Sequence, residues 1–166
     1  MKRILLAIDG SESSGKAVVT VSELAPPINA SVILTTVIDD LGVSYDESNS
    51  NNPRSLSNNP RSPSSNNSSP KNVRKIKKTK QQVKLENEGE KLLNKAESIL
   101  EEENIETEKE ILKGDPANEI CDYATENNIG IIVMGDKGKG GIKELLLGST
   151  SGKVVRHANC SVMIVK

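Results

Sequence analysis

An apolar run, Ile131-Ile132-Val133-Met134, halts at Gly135-Asp136-Lys137-Gly138, and nine residues separate that turn from Gly148-Ser149-Thr150. This is the layout of a buried strand feeding a glycine turn, with a second glycine–hydroxyl turn opening a helix. Glycines let a backbone approach a ligand closely. Hydroxyls and helix-start amides donate hydrogen bonds to phosphate. A chain built this way needs a fold in which strands, loops and helices follow one another in that order.

The rest of the chain keeps to the same rhythm. Residues 3–9 read as a short buried strand. Residues 12–25 carry Ala17, Val18, Val21, Leu24 and Ala25 at helical spacing, with Ser11 or Ser13 available as N-cap, and Pro26-Pro27 ends that helix. Residues 31–38 are β-branched or apolar, as suits a strand covered on both faces. A long helical pattern over 72–103 has an apolar stripe of Val83, Leu85, Leu92, Leu93, Ala96, Ile99 and Leu100. Residues 105–112 alternate like an edge strand. Asp115-Pro116 caps a helix carrying Ile120, Cys121 and Ala124, residues 149–157 make a last short helix, and 161–165 a last strand.

The alternation implies an α/β fold: an open, five-stranded, mostly parallel sheet with helices on both faces, of Rossmann-like type. Ligands of such sheets bind beyond the carboxyl ends of the strands, where the strand order reverses. That rule places Asp9, Val37 and the Gly135 turn on one rim.

One segment breaks the rhythm. Of the twenty-three residues 48–70, nine are Ser, seven Asn and four Pro, and Leu56 is the one large apolar group. Such a stretch cannot bury enough surface to offset the entropy of ordering it. Asn51-Asn52-Pro53-Arg54-Ser55 recurs as Asn58-Asn59-Pro60-Arg61-Ser62. The duplication reads as a grown loop, so residues 1–166 are expected to form one domain with a disordered insertion over about 44–72. The basic stretch behind it, Lys71 to Lys84, has no interleaved aromatics and is followed by acids. It reads as a solvated helix face, with no nucleic-acid partner.

Composition narrows the function classes. Net charge is −1, which exerts no global pull toward nucleic acid or anionic membrane. The amino end is too short in apolar residues for a signal-peptide core, and no run approaches transmembrane length. A cytoplasmic protein with no membrane partner is expected. Cys121 and Cys160 lie far apart and beside apolar residues, as reduced thiols of a core do. The single histidine, His157, has no nucleophile or metal-ligand partners around it, so neither a zinc site nor a catalytic base is argued.

Two segments compete as phosphate loops. Gly10 to Ala17 matches the P-loop pattern at two glycines and Lys16, but Ala17 stands where a hydroxyl should bind magnesium, and Glu12 would put a carboxylate in the cradle. The later loop fits better. Its spacing at Gly135, Gly138, Gly148 and Ser149, the first strand running to Asp9, the Gly-Ser-Glu-Ser helix start, and the ending Ala158 to Val165 resemble the universal stress protein family. The resemblance covers the chain outside about 44–72. It implies the ATP-binding subclass, with magnesium or manganese accompanying the nucleotide.

On that resemblance Asp9 accepts from the ribose hydroxyls or the adenine, and Val37 lies against the adenine ring and offers it backbone groups. Gly135 and Gly138 let the loop close over ribose and phosphates, with Lys137 beside them. Gly148, Ser149 and Thr150 form the turn that holds phosphate. The resemblance also implies a homodimer joined through Val162–Val165. Asp136 departs from the family, where a small hydroxyl residue is usual. It is either a solvent-facing acid or a carboxylate that repels triphosphate, with Lys137, Lys139 and Lys143 placed to offset it. No side chain is positioned by sequence to activate a water, so the chain reads as a dimeric stress sensor or regulator with at most slow hydrolysis. A stress-type scaffold that works through protein contacts without nucleotide is the alternative, and a P-loop NTPase using Gly10–Lys16 a third reading.

Overall fold

The computed structural model describes residues 2–38, 79–139 and 147–166. The insertion at 44–72, its repeat, the basic residues up to Lys78, and Lys143 lie outside the described residues. Among the described residues there are five strands: β1 (Lys2–Ala7), β2 (Ala30–Ile38), β3 (Thr107–Lys113), β4 (Ile131–Gly135) and β5 (Ser161–Val165). Four α-helices alternate with them: α1 (Glu12–Leu24), α2 (Lys80–Glu101), α3 (Pro116–Glu126) and α4 (Ser149–His157). All neighbouring strands run parallel, in the order β3-β2-β1-β4-β5.

The pleat of β1 explains the two helix layers. Ile4, Leu6 and Ile8 point to one face, where Val18 and Val21 of α1 and Leu93, Ala96 and Leu100 of α2 cover them. Leu5 and Ala7 point to the other, under Ala117, Ile120 and Ala124 of α3 and Val154 of α4. Both faces of β1, β2 and β4 are therefore dry, which is why these strands read as near-continuous apolar runs. Complete burial of each large aliphatic here contributes about 1.5–3 kcal/mol.

The edge strand is different. Among the described residues β3 pairs only with β2, and its Glu108, Lys109 and Glu110 are exposed while Ile111 reaches the α1/α2 core. Lys109 and Lys113 bond Glu97 and Glu86 of α2, each at 2.5 Å, which fastens the charged edge under that helix. Charged side chains on an outer strand also discourage pairing with other chains.

Helix ends follow local chemistry. Ser11 caps α1 by accepting from Ser14 N, and Thr79 and Gln82 form a reciprocal capping box at the start of α2. Asp115 accepts from Asn118 N with Pro116 as first helical residue, as expected. That amide holds the Asp115 carboxyl below its ordinary value, with the Lys153 ammonium adding to the effect. A depressed folded-state pKa stabilises the fold above the unfolded carboxylate's pKa and loses that contribution as pH falls through the folded value. Melting temperature is therefore expected to fall more steeply below about pH 4 in the wild type than in Asp115→Asn, which keeps the capping oxygen without the charge. Parallel pH–melting curves for the two proteins would contradict this.

Two boundaries differ from the sequence expectation. The first strand ends at Ala7 rather than at Asp9. Ile8 N still donates to Thr35 O, but Gly10 at φ +78° turns the chain and lets Asp9 curl toward Ser11. The described part of the long helix starts at Lys80, because the Thr79 cap defines its first turn.

Candidate functional site

The connections set the place of the site. β1 leads by α1 to β2 on one side, whereas β3 leads by α3 to β4 on the other side of β1. The loops leaving β1 and β4 thus part toward opposite faces, and a crevice opens between them at the carboxyl end of the sheet. A cavity of about 460 Å³ occupies it, a size typical of small-ligand sites.

All eight residues singled out from sequence, Asp9, Val37, Gly135, Lys137, Gly138, Gly148, Ser149 and Thr150, line this one cavity. They come from the ends of β1, β2 and β4 and the start of α4. The floor is apolar, from Ala7, Val37, Ile120 and Met134. The rim is polar. At the start of α4 the intrahelical ladder begins only with Gly152 N donating to Gly148 O, so the first-turn amides and the Ser149 and Thr150 hydroxyls form the donor end of the crevice.

The two loops are tied together before any ligand arrives. Asp9 Oδ1 accepts from Ser11 N at 2.9 Å and from Ser11 Oγ at 2.6 Å, and its Oδ2 accepts from Lys139 N at 3.2 Å. Ser13 Oγ donates to Lys137 O at 2.7 Å. Ser151 Oγ donates to Asp136 O at 2.7 Å, and Gly148 N donates to the same carbonyl at 2.7 Å. Sequence reasoning missed Ser13 and Ser151 as holders of the glycine turn. Ser13 was legible only as a candidate cap, and nothing local marks Ser151, since its partner is fifteen residues away.

Two readings need correction, and one residue has a further role. Asp136 does not face solvent: the residue is 9% exposed, and its carboxylate lies 3.9 Å from Lys137 Nζ. The cavity wall includes Gly135, Lys137 and Gly138 but not Asp136. Burial follows because Asp136 N donates to Val165 O and its carbonyl receives Gly148 and Ser151, which carries the residue along the β4–β5 pairing. Gly135 has a packing role that the sequence did not reveal. A Cβ there would meet Ser13 Oγ and lie 2.8 Å from both Ser13 C and Ser14 N. Finally, Gly10–Lys16 does not form a P-loop. α1 has begun by Glu12, so Gly15 and Lys16 sit inside it, and Lys16 pairs with Glu12 across one helical turn at 3.1 Å.

Both thiols are free and half-buried, and burial pushes Cys121 and Cys160 up from their ordinary value. His157 is exposed in the last turn of α4. Among the described residues, no helix is long and apolar enough to cross a membrane.

Known proteins share this fold. The model of the universal stress protein family matches residues 60–166. The chain belongs to the universal stress protein family. Universal stress protein MJ0531 of Methanocaldococcus jannaschii is 46% identical over 57 residues, which span 34% of each chain. Stress response protein NhaX of Bacillus subtilis is 29% identical over 99% of this chain and 97% of its own. Among solved structures, universal stress protein MJ0577 of M. jannaschii superposes with a TM-score of 0.68 at 28% identity, covering 99% of this chain and 95% of that one. A universal stress protein from Archaeoglobus fulgidus, solved in complex with dAMP, has a TM-score of 0.62 at 20% identity, covering 100% and 98%.

Proposed function

We propose that this universal stress protein binds ATP in the crevice between β1 and β4 and acts as a dimeric cytoplasmic regulator of a stress response. One observation carries the reading: an apolar floor and a donor-rich rim, contributed by five separate chain segments, meet in a single cavity at the switch point. In this reading the adenine lies over Val37, Asp9 accepts from the ribose, and Lys137, Ser149, Thr150 and the α4 amides hold the phosphates. Gly138 and Gly148 keep the turn low enough for that approach. The complex of the Archaeoglobus relative with dAMP supports an adenine nucleotide as the ligand.

Magnesium or manganese would enter with the triphosphate and be held through its phosphate oxygens, since Asp9, the one carboxylate among the described lining residues, already accepts from Ser11 and Lys139 N and would face the ribose. The second protomer would add its own β5 alongside Val162–Val165, whose outer edge β4 leaves open. Residues 1–166 are taken as one domain carrying the insertion at 44–72.

Melting curves with and without Mg-ATP test the ligand. Saturation at about a hundred times Kd contributes about 2.7 kcal/mol, so a rise of several degrees is expected in the wild type and equally in Lys16→Ala. Loss of the rise in Lys16→Ala would move the ligand away from this crevice. No rise with any nucleotide would leave the scaffold reading.

A further inference from the structure

Nucleotide binding leaves both cysteines of the chain unused, and the fold brings them to one place. Cys121 and Cys160 stand far apart in sequence, yet both pack against the same apolar cluster under α3 and α4. Neither is among the described residues that line the cavity.

The two flanks of α3 face different neighbours. Ala117, Ile120 and Ala124 are buried against the sheet. Tyr123 lies on the flank toward β3, beside Glu108 and Glu110. Cys121 and Thr125, one turn apart, share the other flank, toward β5. A bond crosses there: Asn159 Nδ2 donates to Thr125 Oγ1 at 3.4 Å, and Thr125 Oγ1 donates to Cys121 O at 2.9 Å. Cys160 follows Asn159 in the chain. It shares a face with Val162 and Ile164, the α3/α4 side of the sheet. Each thiol is thus one step from the same side-chain contact. The Cys160 sulfur is near enough to raise the Cys121 value through its charge. Thr125 and Asn159 are exposed, so this seam is open to small solutes from the solvent.

We infer that Cys121 and Cys160 form an oxidant-responsive pair, which a peroxide joins into a disulfide stapling α3 to the start of β5. Cys160 reacts first, because the Ile132 N–H donates to its sulfur and favours the thiolate. Its thiolate attacks one peroxide oxygen, the O–O bond breaks, and a sulfenic acid and hydroxide result. The Cys121 sulfur then attacks the sulfenic sulfur. The S–S bond forms, the S–O bond breaks, and water leaves with the Cys121 proton. Two thiols and one peroxide give one disulfide and two waters, with two electrons passing from sulfur to oxygen. Burial pushes both thiols up, so little thiolate is present at rest, and the pair answers to excess peroxide rather than to traces. Cys160 precedes β5 at the amino end of the sheet, opposite the crevice, so the inference does not rest on the nucleotide.

The test treats dilute wild type, Cys121→Ser and Cys160→Ser with hydrogen peroxide and follows intact mass, free thiols and melting. The wild type is expected to lose both thiols and two hydrogens while staying a single chain in denaturant. Its digest should hold one peptide pair joined through Cys121 and Cys160. Melting should rise by about 5–10 °C, since the bond constrains the unfolded chain, and a phosphine reductant should reverse the rise. Neither serine variant should show it. Sulfinic acids on unlinked cysteines, a disulfide between two chains, or an internal bond that leaves melting unchanged overturns the inference.

Discussion

Replacing Gly135 by alanine is expected to cost about 3 kcal/mol of stability, a heavy penalty for a single methyl group. The cause is backbone. An added Cβ would stand 2.8 Å from Ser13 C and 2.8 Å from Ser14 N, at the first turn of α1. A flexible side chain could swing aside, but a capped helix start cannot. Ser11 caps that turn, and Ser13 Oγ holds Lys137 O. The end of β4 and the start of α1 must therefore separate, and the crevice widens with them. Melting should fall by about 6–12 °C, at about 2–4 °C per kcal/mol for a chain of this size. Scanning calorimetry of Gly135→Ala checks this, and a drop under about 2 °C would mean that α1 yields easily.

Gly138→Val is expected to do the opposite: leave the fold and remove the ligand. The Cβ at 138 would lie 2.8 Å from Asp9 Oδ2, and valine adds two methyl groups beyond it. Here the neighbour is the far end of an exposed side chain, so Asp9 rotates away at small cost to stability, under about 1 kcal/mol. The rotation breaks the bond from Lys139 N and takes the carboxylate from the place where it would meet the ribose. ATP affinity should drop by about a hundredfold, near 2.7 kcal/mol, with melting in the absence of nucleotide almost unchanged. The two glycines stand three residues apart in one turn, yet one serves packing and the other access. Equal ATP affinity in Gly138→Val and wild type would remove Asp9 and this turn from the site.

The strands were readable because dry parallel strands are apolar along their whole length, as Ile4–Ile8 and Ile131–Met134 are. The rim was readable because turns and caps are written locally, in Gly10, Ser11, Asp115 and Gly148. What escaped depends on distance. Asp136 is an acid in a loop, and its burial follows from bonds to Val165, Gly148 and Ser151 that no neighbouring residue announces. The packing role of Gly135 depends on Ser13 and Ser14, far away in sequence on another helix. Cys121 and Cys160 lie far apart in the chain, and only the packing of α3 beside β5 brings them to one seam. The P-loop match failed for a related reason. Its spacing is satisfied by a helix start, and pattern alone does not say where the loop stops and the helix begins.

Native mass spectrometry of the wild type and Gly138→Val, each incubated with Mg-ATP, tests the central claim most directly. The wild type should carry one added ATP per protomer, and Gly138→Val should carry none at the same concentration. Equal occupancy in the two proteins, or a wild type that stays bare with ATP in excess, would contradict a nucleotide site between β1 and β4.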